Sequence, residues 1–80
     1  MTRLQLYSRE GCLLCDELLA ELAPWAGAHG TAVELLDVDA DPVTRRRYGL
    51  RIPVLLIDGE TASTGHLDLA EVQRLWDAGR

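Results

Sequence analysis

The sequence predicts an α/β fold: a mixed four-stranded sheet flanked by helices, in the order β-α-β-α-β-β-α. Three observations carry this. Apolar residues switch along the chain from a period of two to a helical period and back. The uninterrupted run Val54-Leu55-Leu56-Ile57 has the character of a strand covered on both faces. Directly after it, Asp58-Gly59 is a strong two-residue hairpin signal, which makes the last two strands antiparallel neighbours.

Each element follows from local chemistry. Leu4-Gln5-Leu6-Tyr7 alternates apolar and polar and reads as the first strand; Ser8 to Gly11 is a loop. From Cys12 the apolar residues at 14, 18, 22 and at 15, 19, 23 mark a helical stripe. Pro24 removes a backbone donor and restricts Ala23, so the helix is expected to end or kink there, with Gly27, His29 and Gly30 completing the break. Ala32 to Val38 is the second strand, and a right-handed crossover makes it parallel to the first. Asp41 caps a short helix whose first residue position suits Pro42 and which runs from Val43 to about Tyr48. Gly49 is expected as its left-handed terminator. After the hairpin turn a fourth strand covers Glu60 to Ser63, and Thr64 to His66 is loop. Asp68 with Glu71 forms an acidic capping box for the last helix, whose apolar face is Leu69, Val72, Leu75 and Trp76.

Length and charge bound the function. Eighty residues make one domain, residues 1–80, with room for one modest core. The longest uncharged apolar stretch, Leu22 to Ala28, is far short of the roughly 20 residues a membrane span needs. Met1-Thr2-Arg3-Leu4 has no hydrophobic signal core, so a cytoplasmic location and no membrane partner are expected. Eight basic residues, all Arg, face 13 acidic ones for a net charge of −5, which argues against a nucleic-acid partner. A monomer is expected from the small size.

The chemistry lies in Cys12 and Cys15. A bridge between them closes almost no loop, so it cannot staple a fold, and the pair points to redox chemistry or metal binding. Cys12 falls at or just before the first helical turn, where unpaired N–H groups and the helix dipole stabilise a thiolate and lower its pKa. Cys15 lies one turn further on the same face, placed to resolve a mixed disulfide. Arg9 adds positive charge nearby; Glu10, Asp16 and Glu17 act the other way.

Tyr7-Ser8-Arg9-Glu10-Gly11-Cys12-Leu13-Leu14-Cys15 resembles the active-site stretch of glutaredoxins. Tyr48-Gly49-Leu50-Arg51-Ile52-Pro53-Val54-Leu55 resembles the segment around the cis-proline of thioredoxins and glutaredoxins, and Gly65-His66-Leu67-Asp68 the turn before the last glutaredoxin helix. With Val33 to Pro42, these blocks span nearly the whole chain and are most similar to small bacterial glutaredoxin-like proteins. The resemblance implies a thioredoxin fold and a thiol–disulfide oxidoreductase. Cys12 would be the attacking thiolate, Cys15 the resolving thiol and Pro53 cis. Ile52 would offer its backbone to a bound thiol peptide, Arg9 would approach a glutathione carboxylate, and Gly65, His66 and Asp68 would line the other end of that groove. No bound cofactor is implied; glutathione is a candidate co-substrate. The implied partners are a disulfide-containing protein or a glutathione mixed disulfide, with a reductase as a further candidate. The chain departs from the pattern in three places. Leu13-Leu14 stands where glutaredoxins have Pro-Tyr, Gly65-His66 where they have paired glycines, and Gly11 where thioredoxins have tryptophan.

Other readings stand beside these. The cysteines are also half of a metal or iron–sulfur site, with His29 at a tolerable finger spacing. A redox-responsive interaction module without turnover is the third class. Arg45 to Arg47 read foremost as a solvated helix end, with docking of an acidic partner or of glutathione carboxylates as the alternative. His29 reads as surface loop, and His66 as a loop residue, the alternative being a group that tunes the site or shuttles protons. Tyr7, Trp25 and Trp76 read as packing. Asp37, Asp39 and Asp41 read as caps and solvated carboxylates.

Overall fold

A computed structural model describes residues 2–79. The elements are β1 (Leu4–Ser8), α1 (Leu13–Ala28), β2 (Val33–Asp37), a short 3₁₀ helix (Val38–Ala40), α2 (Pro42–Tyr48), β3 (Val54–Ile57), β4 (Glu60–Thr64) and α3 (Leu69–Ala78). The strands form one sheet in the order β2-β1-β3-β4. β1 runs parallel to β2 and antiparallel to β3, and β3 runs antiparallel to β4. This is the mixed, thioredoxin-like arrangement expected from the sequence.

The core follows from the period-two pattern. Leu4 and Leu6 of β1 with Leu55 and Ile57 of β3 turn one face toward Leu18, Leu22 and Ala26 of α1 and toward Val72 and Leu75 of α3. The opposite face carries Val54 and Leu56, so β3 is buried on both sides. There Tyr48 of α2 stacks on Tyr7 with ring centroids 5.1 Å apart. In β4 a bulge sets Leu55 opposite Ser63 but Leu56 opposite Thr61, so the successive residues Ala62 and Ser63 are both buried.

Caps and turns form where the side-chain chemistry places them. Asp41 Oδ1 accepts the Val43 N–H at 2.8 Å, with Pro42 in the first turn of α2. Asp68 Oδ1 accepts the Glu71 N–H at 3.1 Å. The Glu71 carboxylate pairs forward with Arg74 rather than back to the Asp68 N–H, so only the Asp68 half of the expected capping box forms. Asp58 and Gly59 adopt φ of 51° and 87°, the two left-handed positions of a primed hairpin turn.

Several expectations are corrected. Pro24 lies inside α1, which continues to Ala28. Its residue and Ala20, whose carbonyl it leaves without a helical partner, are both on the exposed side, where water satisfies the loss. Beyond it, Ala26 is in the core and Trp25 stacks on His29 at 3.8 Å and meets Trp76 edge-on at 5.3 Å. His29 is thus part of a half-buried aromatic cluster, with Nδ1 2.8 Å from the Trp25 carbonyl oxygen, and is not loose surface loop. The chain turns only at Gly30, at φ 67°. Gly49 is not left-handed: its φ is −56°. A Cβ there would run into the Arg45 carbonyl oxygen and lie 3.3 Å from Arg9 Nη2, so close approach is the reason for glycine. Val38 leaves the strand because Asp37 Oδ1 accepts the Asp39 N–H at 2.9 Å and turns the chain. Leu14, Ala23 and Leu69 are exposed; the buried stripe of α1 is Cys15, Leu18, Leu22 and Ala26.

Candidate functional site

The site grows out of the junction between β1 and α1. After Ser8 the chain makes a tight turn in which the Cys12 N–H donates to the Arg9 carbonyl at 3.1 Å. Gly11 holds φ 81° at the third position of that turn, which needs glycine. Cys12 then becomes the N-cap of α1: its backbone is extended, its carbonyl accepts the Asp16 N–H at 3.1 Å and its Sγ accepts the Cys15 N–H at 3.2 Å. Cys12 and Cys15 are joined as a disulfide, with Cα atoms 5.2 Å apart. The two sulfurs are not equivalent. Cys12 is half-buried at the mouth of the helix, whereas Cys15 is only 3% exposed. Between them Leu13 projects outward, 70% exposed, with Leu14 beside it.

The sheet brings two other loops to the same end. Tyr7 pairs with Val54, so Ile52-Pro53 lies at the end of the sheet from which the Cys12 loop departs. The Ile52–Pro53 bond is cis and Pro53 is buried. Thr64 pairs with Val54 from the other side, and the Gly65 N–H donates to the Pro53 carbonyl at 2.9 Å. Gly65, at φ 75°, then turns the chain toward His66 and Asp68 at the start of α3. Gly65, His66 and Leu67 also line a small cavity of about 40 Å³ with Leu14, Leu18 and Glu17 of α1. His66 and Asp68 lie on an open concavity of about 420 Å³ along β4, with Thr61, Ser63 and Thr64. Ile52, Pro53 and Gly65 are therefore at the same end of the sheet as the dithiol loop; His66 reaches the cavity beside Leu14, and Asp68 lies farther off, on the concavity along β4.

Arg9 is placed differently. Its Nε and Nη2 donate to Asp39 Oδ2 and Oδ1 at 2.6 and 2.8 Å, and its Nη1 reaches the Gly49 carbonyl at 3.4 Å. Hydrogen bonding to Asp39 raises the guanidinium pKa, and the same bonds hold the Asp39 carboxyl below its ordinary value. The charge nearest the turn is thus matched by a carboxylate. Asp39 and Gly49 were not among the expected site residues. The sequence reading of Asp37, Asp39 and Asp41 as caps and solvated carboxylates holds for Asp37 and Asp41, whereas Asp39 is engaged by Arg9.

Among the described residues no group of three or more Cys, His, Asp or Glu side chains could hold a metal ion. His29 sits at the opposite end of α1, roughly 24 Å along a helix of this length. No helix among the described residues is long and apolar enough to cross a membrane.

Comparison with known proteins agrees with this geometry. The model of the glutaredoxin-like domain family (DUF836) matches residues 3–75. An uncharacterized protein of Mycobacterium tuberculosis is 31% identical over 71 residues, covering 82% of this chain and 73% of that protein. A solution structure of a Nitrosomonas europaea protein superposes with a TM-score of 0.83 at 28% identity, covering 91% of this chain and 88% of that one. A crystal structure from X. campestris gives a TM-score of 0.71 at 33% identity, covering 94% and 96%.

Proposed function

The chain belongs to the glutaredoxin-like domain family, and from that premise we propose that it is a thiol–disulfide oxidoreductase working through a mixed disulfide at Cys12. The observation that supports this is the asymmetry of the cysteine pair: Cys12 half-exposed at the N-cap of α1, Cys15 buried one turn behind it. In the reduced protein the Cys12 thiolate gains from the helix N-terminus and from the Cys15 N–H, which favours it over the buried thiol as nucleophile. Cys12 attacks one sulfur of a substrate disulfide and the other sulfur leaves as a thiolate. Cys15 then attacks Cys12, the Cys12–Cys15 bond forms and the second substrate thiolate departs. Two electrons pass from the protein dithiol to the substrate, and an external thiol or reductase restores the dithiol.

In the same proposal Ile52 presents its backbone to the substrate segment beside cis-Pro53, as an added strand does. Gly65, His66 and Asp68 border the far end of the groove, and glutathione is a candidate co-substrate. Arg9 serves chiefly as a brace, because Asp39 and Gly49 already occupy its guanidinium. The test is reduction of a protein disulfide such as insulin. Cys12→Ser is expected to abolish turnover, and Cys15→Ser to accumulate a stable adduct at Cys12. Full activity of Cys12→Ser would refute the reading.

A further inference from the structure

Arginine is distributed unevenly over this acidic chain. Arg3, Arg9 and Arg74 each hold a carboxylate, of Glu34, Asp39 and Glu71 respectively. Arg45, Arg46, Arg47 and Arg51 are all exposed, and none of these four makes an ion pair within the described chain. Arg45 leans its charge on Asp39, but that carboxylate is bonded to Arg9. Asp37 and Asp41 are engaged by backbone N–H groups. α2, which carries three of these arginines, buries none of its residues, and of the three only Arg47 packs on a neighbour, its guanidinium 5.3 Å from the centre of the Tyr48 ring. A solvated helix end accounts for residues 45–47; it does not account for Arg51, which follows the helix and directly precedes Ile52-Pro53.

The cluster adjoins the dithiol. Tyr48 stacks on Tyr7 two residues before Arg9, the Arg51 N–H donates to the Tyr48 carbonyl at 2.8 Å, and Arg9 reaches the Gly49 carbonyl. Leu50, fully exposed, sits among these cations. The charged residues nearest Cys12 in sequence besides Arg9 are Glu10, Asp16 and Glu17. The positive charge that makes no ion pair among the described residues lies on the approach to the cis-proline loop.

We propose that the Arg45–Arg51 segment is the docking surface for an acidic stretch of the protein whose disulfide Cys12 exchanges. The inference rests on the oxidoreductase reading and narrows its substrate class. It also runs against the net charge of −5, which by itself would repel such a partner, so the prediction has a definite sign.

The test uses single turnover of the reduced protein. Two peptides of one sequence, each closed by an intramolecular disulfide, differ only in flanks of Asp/Glu or Lys/Arg; neutral hydroxyethyl disulfide is the third oxidant. With each peptide the products are the Cys12–Cys15 disulfide and the peptide dithiol. At low salt the acidic peptide is expected to react at least about tenfold faster than the basic one, within the range of electrostatic steering. The ratio should fall toward one at roughly 1 M salt, where the screening length is about 3 Å. It should fall likewise in Arg46→Glu/Arg51→Glu, whose native side chains make no ion pair or hydrogen bond among the described residues and whose fold a thermal melt verifies. If the neutral disulfide is reduced but the two peptides react equally at low salt, or the variant keeps the ratio, the docking proposal is wrong and the oxidoreductase reading stands. If no oxidant turns the dithiol over, the reading itself fails and takes the proposal with it. Tighter binding of a single-stranded oligonucleotide than of the acidic peptide would reassign the cluster to nucleic acid.

Discussion

Arg9 and Asp39, thirty positions apart in the chain, are joined by two parallel hydrogen bonds of 2.6 and 2.8 Å. The pair ties the turn before Cys12 to the 3₁₀ helix after β2, and through the Gly49 carbonyl to the end of α2. Three segments that flank the dithiol are thereby referenced to one guanidinium.

This tie is pH-dependent in a stated direction. The Arg9 hydrogen bonds hold the Asp39 carboxyl below its ordinary 3.8. A carboxyl whose pKa is depressed by folding contributes stability above its unfolded value and loses that contribution as pH falls through the folded one. Relative to Asp39→Asn, the native protein is expected to keep a constant melting-temperature difference down to about pH 4 and to lose it below. Circular-dichroism melts of both proteins check this; a difference unchanged into strong acid would contradict it.

Alkylation should distinguish the cysteines. In the reduced protein iodoacetamide is expected to modify Cys12 at least about tenfold faster than Cys15, with half-maximal rate below the pH of about 8.5 typical of a free thiol. Mass mapping after brief labelling reads the selectivity. Equal labelling of the two thiols would remove the distinction between attacking and resolving sulfur.

Pro24→Ala should stabilise the fold. It restores a helical N–H opposite the Ala20 carbonyl on an exposed face, and an interior proline costs a helix about 3 kcal/mol. A gain of roughly 1–3 kcal/mol is expected in urea unfolding. No gain would mean that α1 has adapted to the proline in a way alanine cannot use.

Gly49→Ala should do the opposite. Its methyl would meet backbone at Arg45 and the tip of Arg9, and the backbone contact cannot be relieved by rotating a side chain. A loss of about 1–3 kcal/mol is expected from such overpacking. Gly27→Ala, where an added Cβ meets open space, is the matched control and should not destabilise.

These residues also show what can be read from sequence. Asp41, Asp68 and Asp58-Gly59 act on N–H groups or dihedrals within three residues of themselves, so their roles were visible in the local order of side chains. The cis bond at Pro53 was anticipated only through resemblance, since nothing local demands it. Pro24 misleads because its penalty is local while the compensation, the burial of Ala26 and the contact of Trp25 with Trp76, comes from across the fold. Gly49 carries a glycine signal with the wrong cause: the neighbour that excludes a side chain includes Arg9, forty residues away. Arg9 itself was legible as a cation by the cysteines, but its engagement by Asp39 required the parallel pairing of β1 with β2.

The meeting of Trp25, His29 and Trp76 has a practical consequence. Both indoles lie at the end of α1 away from the dithiol, Trp25 on that helix roughly 20 Å along the axis from Cys12 at helical rise and Trp76 on α3 packed edge-on against it. Intrinsic fluorescence will therefore follow the unfolding of that distal cluster and stay nearly blind to oxidation of the sulfurs. The same optical signal can compare the conformational stability of the two oxidation states, while their interconversion has to be counted by chemistry.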